Sequence, residues 1–161
     1  MKRDDAWLQQ LLDKIWDNYF SDVAQENDVR IVFGRRAKRR LGSISLDPAD
    51  RTTSIITINS LFKLPDVPEY VVEATIVHEL THYAHGFSSP LEQAQRHPHA
   101  GGVMRREFAE RGLLELYLQQ KRWLKSDWHL IIERELPHRH RQSGTGLVKM
   151  KVPKPFWFSR E

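Results

Sequence analysis

The chain has 161 residues, 40% hydrophobic and 29% charged, enough to close one domain around its own core without covalent staples. It contains no cysteine, which excludes disulfides, iron–sulfur clusters, cysteine-built zinc ribbons and thiol nucleophiles, so any metal must be held by histidine or carboxylate. A formal charge of +4, a mean hydropathy of −0.58, no apolar run of the ~18–20 residues that span a bilayer and no apolar stretch in residues 1–10 lead us to expect a soluble, cytoplasmic protein without a membrane partner.

The first element reads as a helix. Trp7, Leu8, Leu11, Leu12, Ile15, Trp16, Tyr19 and Phe20 recur at helical spacing, with Asp and Lys opposite, and the simplest use of that aromatic stripe is core packing. Three short strand patterns follow, at 29–33, 41–46 and 54–59, with Gly34 and the Asp47-Pro48 turn as punctuation. Strands met one after another predict a small, mainly antiparallel sheet. A connector over 61–67 leads to a second helix, for which Asp66 is the N-cap candidate, Pro68 a first-turn residue and Glu69 the capping-box partner. That helix reads as amphipathic and stops at Gly86. A Gly-, Ser- and Pro-rich loop covers 86–102. Another helical pattern begins near Val103, is interrupted or bent at Gly112 and continues through Leu113, Leu116, Tyr117, Trp123 and Leu124. A basic tail over 137–161 carries a strand-like GLVKMKV and an aromatic PFWF. The expected architecture is a single α+β domain over 1–161: a three-stranded sheet packed on the second helix, with helices at both ends.

His78-Glu79-Leu80-Thr81-His82 carries the chemistry. Residues four apart on a helix lie one above the other, so both imidazoles can reach one point. Zinc accepts imidazole nitrogen at ~2.0–2.1 Å, and a catalytic zinc keeps a fourth position for water. A glutamate beside the first histidine can take a proton from that water and give it to a leaving amine, which is the H-E-x-x-H metallopeptidase arrangement. Two His and a Glu near a buried stripe would be unfavourable without a partner. For a third ligand, His99 is favoured, then His97, then Glu107 or Glu110 on the following helix. His85 reads as a supporting or surface residue, and Tyr83 or His85 are candidates to stabilise an oxyanion.

With these residues in view, VVEATIVHELTHYAHG, preceded by SIITINSLFKLPDVP, resembles the SprT-like zinc metallopeptidases, the group that includes the Spartan proteases. The resemblance spans roughly residues 5–125. It implies a zincin-like fold, zinc held by His78, His82 and a histidine near position 99, and Glu79 as catalytic base. The family's third histidine usually precedes an apolar residue four positions on; His99 with Val103 fits, whereas His97 is followed by Gly101. With no cysteine in these 161 residues we expect no cysteine-built zinc ribbon of the kind many relatives carry, and we expect none of the dedicated DNA- and partner-binding tails of Spartan.

Charge is unevenly placed. Residues 1–29 carry a balance of −4, residues 121–161 a balance of +6, and residues 30–40 hold six positive charges and no acid. Arg35, Arg36, Lys38, Arg39 and Arg40 are therefore candidate contacts to single-stranded nucleic acid, with Phe156, Trp157 and Phe158 as stacking platforms; the competing use of Trp157 is to close over the core. The expected function is that of a zinc-dependent metalloendopeptidase acting on protein or peptide. The alternatives are a catalytically silent, nucleic-acid-associated metal scaffold, and a metal-dependent hydrolase of a non-protein substrate.

Overall fold

The computed structural model describes residues 2–93 and 102–136. The elements run α1 (Asp5–Tyr19), β1 (Val29–Phe33), β2 (Gly42–Leu46), β3 (Ser54–Ile58), a 3-10 turn (Ser60–Lys63), α2 (Glu69–Ala84), α3 (Val103–Glu110), α4 (Leu114–Ser126) and α5 (Trp128–Glu135). The α+β class is as expected, and no described helix is long and apolar enough to cross a membrane.

The sheet departs from the expectation. Its order is β1-β3-β2, with β3 antiparallel to β2 but parallel to β1, so it is mixed. Each connection reverses the chain as expected, but the loop over 34–41 carries it past the middle position, which β3 then fills. Composition explains the choice. β3 alternates buried Ser54, Ile56 and Ile58 with half-buried Ile55 and Thr57, while Arg30 and the serines of β2 suit edge strands.

α1 docks largely as its periodicity predicts: Trp7, Leu8, Leu11, Leu12 and Ile15 are buried, as is Phe20 at the C-cap, whereas Trp16 is half-buried and Tyr19, expected in the core stripe, is exposed near the helix end. Asp4 caps the helix through its carboxylate and the Trp7 amide at 3.0 Å. The Arg3 guanidinium ties this end to the connector before α2, donating to the carbonyls of Phe62 (2.7 Å) and Val67 (2.8 Å). The start of α2 corrects the capping expectation. Pro68, with φ −62° and ψ 147°, is the N-cap residue and supplies no side-chain bond. Asp66 is drawn instead to Arg134 of α5, 2.6 Å away.

α2 is not amphipathic. Every residue from Ala74 to Tyr83 is buried, as befits a helix enclosed by the sheet, α1, α3 and α4. Its internal polar groups are satisfied locally: Thr75 and Thr81 donate back to the carbonyls of Val71 (2.8 Å) and Val77 (2.9 Å), and Gln120 of α4 donates to Val71 O and Thr75 Oγ1 at 3.1 and 3.0 Å. The helix ends at Gly86, φ +78°, where the Phe87 amide reaches back to His82 O (3.0 Å) and the Gly86 amide to Tyr83 O (3.0 Å), a Schellman ending.

Candidate metal centre

His78 and His82 lie one turn apart in the enclosed part of α2, 4% and 8% exposed. Their rings meet edge to face, and the two Nε2 atoms are 3.1 Å apart. Two imidazole nitrogens on one tetrahedral zinc at ~2.0–2.1 Å stand about 3.3 Å apart. The pair is therefore spaced for a shared cation, and the same separation admits an N–H···N hydrogen bond between the two rings. Phe87, carried back by the Schellman turn, sets its ring edge-on to His82, with centroids 5.9 Å apart.

Glu79 is 2% exposed. Burial pushes its carboxyl up to about 8, and the positive charge of Arg40 pulls in the opposite direction. Room for this carboxylate comes from Gly42, the first residue of β2: a Cβ there would stand 2.8 Å from Glu79 Oε1 and 2.8 Å from Thr75 Cγ2. Gly42 is a site residue that the motif reading missed. Its only signal was a glycine opening a strand next in space, but not in sequence, to the motif helix.

The register also fixes which edge of β2 is open. Asn59 N donates to Leu41 O and Asp47 N to Thr53 O, both at 2.8 Å, so the odd-numbered residues of this strand bond to β3. The backbone groups of Gly42, Ile44 and Leu46 then face outward along the free edge, with the Ser88 hydroxyl on Ile44 O at 3.4 Å. Among the described residues no strand pairs with this edge, which begins at the residue that lies against Glu79.

The favoured third ligands, His99 and His97, lie outside the described residues, as do Phe156, Trp157 and Phe158. Among the described residues no group of three His, Asp or Glu side chains converges on one point. Glu107 is engaged by His85, Oε1 to Nε2 at 2.8 Å, and lies 3.7 Å from Arg111 Nε. Glu110 is exposed beside Tyr19, Asp22 and Arg111 around a surface cleft of ≈ 260 Å³. The oxyanion candidates are occupied elsewhere. The Tyr83 hydroxyl donates to Asn27 Oδ1 (2.8 Å) and accepts from the Glu26 amide (3.1 Å), on the α1 side of the helix. His85 caps α2 and is buried against α3, with its Nδ1 lacking a partner among the described residues.

The basic run forms the loop between β1 and β2, and its backbone is firmly held. Asn59 Nδ2 donates to the carbonyls of Ala37 (2.7 Å) and Arg40 (2.8 Å), and Trp128 Nε1 donates to Lys38 O (3.0 Å). Arg36 is paired with Glu135 at 3.0 Å. Arg35, Arg36, Arg39 and Arg40 are exposed, and Arg35, Arg36 and Arg40 border a cleft of ≈ 580 Å³ beside β2. The positive charge of Arg40 is also felt at Glu79, an electrostatic coupling that a reading of the run as a plain charge cluster did not anticipate. Comparison of the chain with family models, curated proteins and solved structures found no match.

Proposed function

We propose that this protein is a zinc-dependent metallopeptidase of zincin-like fold, similar to the SprT-like group, with His78 and His82 as zinc ligands and Glu79 as general base. The observation that carries the reading is the pair of buried imidazole nitrogens 3.1 Å apart with a buried carboxylate at the adjoining helix position. His99 completes the ligand set in this proposal. Zinc bound there supplies Lewis-acid polarisation of a water and of the scissile carbonyl.

The chain's own groups do the rest. Peptide main chain pairs with the outer edge of β2, where the amide and carbonyl of Gly42 and the amide of Ile44 face outward beside Glu79 and the Ser88 hydroxyl, on Ile44 O at 3.4 Å, gives way to the incoming strand. The Glu79 carboxylate takes the proton of the attacking water and delivers it to the leaving amine nitrogen. Burial keeps bulk water from the carboxylate and raises its basicity. A silent metal scaffold has no need of a buried carboxylate at position 79, and a strand edge suits peptide better than a non-protein substrate.

Glu79→Gln tests the reading. The variant keeps the side-chain shape but cannot accept the proton, so zinc content should stay near that of the parent while cleavage of unfolded protein substrates is lost, with or without single-stranded DNA present. Equal cleavage by variant and parent would assign the hydrolysis to another source.

A further inference from the structure

The cleft bordered by the basic loop lies on the sheet face turned away from α2. Gly42 directs its Cα substituent toward Glu79 and Thr75, so Ser43 and Ser45 point to the opposite face, where Thr57 of β3 joins them as cleft lining. The loop reaches that face by folding flat over Thr57 at Gly34, where a Cβ would come within 2.3 Å of Thr57 Cγ2. Arg35 and Arg40 stand exposed at the rim, and none of the twelve described lining residues is acidic. Arg36 shares the lining but is already paired with Glu135.

From this we infer that the cleft is a specificity subsite for acidic side chains of the peptide substrate, read by Arg35 and Arg40. The inference rests on the peptidase reading and deepens it. A peptide paired with the free edge of β2 alternates its side chains between the two sheet faces. Those on the α2 face approach Glu79; those on the other face run beside Ser43 and Ser45 toward the two arginines. A carboxylate there meets guanidinium groups carried by a loop whose Ala37, Lys38 and Arg40 carbonyls are held by Asn59 and Trp128, so binding has the two side chains to order but little of the loop backbone. Single-stranded nucleic acid is the competing occupant. It is disfavoured because none of the described lining residues is aromatic, and base stacking supplies much of the affinity in such grooves.

The test uses zinc-loaded Glu79→Gln protein and three fluorescein-labelled peptides of matched sequence whose alternate residues are Glu, Gln or Lys. Fluorescence anisotropy should show the Glu peptide binding about tenfold more tightly than the Gln peptide, two exposed arginine–carboxylate pairs each contributing a factor of about three. The Lys peptide should be weakest. R35S/R40S should bring the Glu and Gln peptides to equal affinity with an unchanged thermal melt, whereas R39S, outside the cleft lining, should keep the preference. The active protein should cleave the three peptides in the same order.

Equal affinity for the Glu and Gln peptides, a preference that survives R35S/R40S, an R39S effect as large as that of the double variant, or no measurable binding of any peptide would each overturn the subsite. Displacement of the Glu peptide by stoichiometric single-stranded oligodeoxynucleotide would overturn it in favour of nucleic acid. Cleavage without an acidic preference removes the subsite and leaves the peptidase. Preferential binding with no cleavage by the active protein does the reverse.

Discussion

Replacing Glu79 by Gln in protein stripped of metal should stabilise the fold, increasingly so as the pH rises. Burial carries the Glu79 carboxyl from an ordinary 4.5 up to about 8. Below the lower value the proton is bound in both folded and unfolded chains, and variant and parent should differ little. Between the two values the unfolded chain releases the proton while the folded chain keeps it, so the parent loses about 1.4 kcal/mol of stability per pH unit. Above about 8 both states are ionised and the loss levels off, at an order of 5 kcal/mol from this group. That is a large share of the ~5–15 kcal/mol that holds a domain together. Urea unfolding followed by tryptophan fluorescence, with chelator present, at pH about 5, 7 and 9 reads the difference between parent and variant. Restoring zinc should shrink it, because a nearby cation favours the charged carboxylate. A Gln variant whose stability follows the same pH slope as the parent refutes the burial argument.

Gly42→Ala places a methyl 2.8 Å from both Glu79 Oε1 and Thr75 Cγ2, so it should lower stability by about 1–3 kcal/mol and cut kcat at least tenfold, with zinc content unchanged. Full activity in that variant would mean that Glu79 does not need its present position. His99→Ala should weaken zinc affinity far more than His97→Ala in a competition titration with a chromogenic chelator; the reverse order transfers the third-ligand role to His97. Asp50 accepts bonds from the Thr52 and Thr53 amides and the Thr53 hydroxyl, which hold its carboxyl down at about 2. Its contribution to stability is therefore complete above the ordinary carboxylate value and fades as the pH falls toward 2. Asp50→Asn should flatten this part of the acid melting curve, and an unchanged curve argues against the turn as an acid-labile point.

How much of this was legible in the sequence depended on how local the signal was. The α1 stripe up to Ile15, the end of α2 at Gly86 and the break at Gly112 are read from neighbours along the chain and hold in three dimensions, whereas Tyr19, at the end of the same stripe, is exposed. The sheet order is not local. Three strands in succession give directions, but which strand takes the middle is decided by burial on both faces, and the isoleucines of β3 win that place from the serines of β2. Asp66 looked like a cap because cap chemistry was present, yet Arg134, far along the chain, offered the stronger partner. The same limit applies at the site. His78, Glu79 and His82 announce themselves by spacing, whereas Gly42 and Arg40 come to the motif only through the packing of β2 and its loop on α2. The periodicity around the motif also misled, since a helix enclosed on every side has no polar face to detect.

The central claim is that His78 and His82 hold a zinc ion that works with Glu79. Its most direct test is elemental analysis of protein purified without added metal, for the parent and for His82→Ala. The account predicts about one zinc per parent chain, released on acidification as the imidazoles protonate, and little or none in the variant. A parent chain that carries no stoichiometric transition metal, and takes up none on titration, would contradict it.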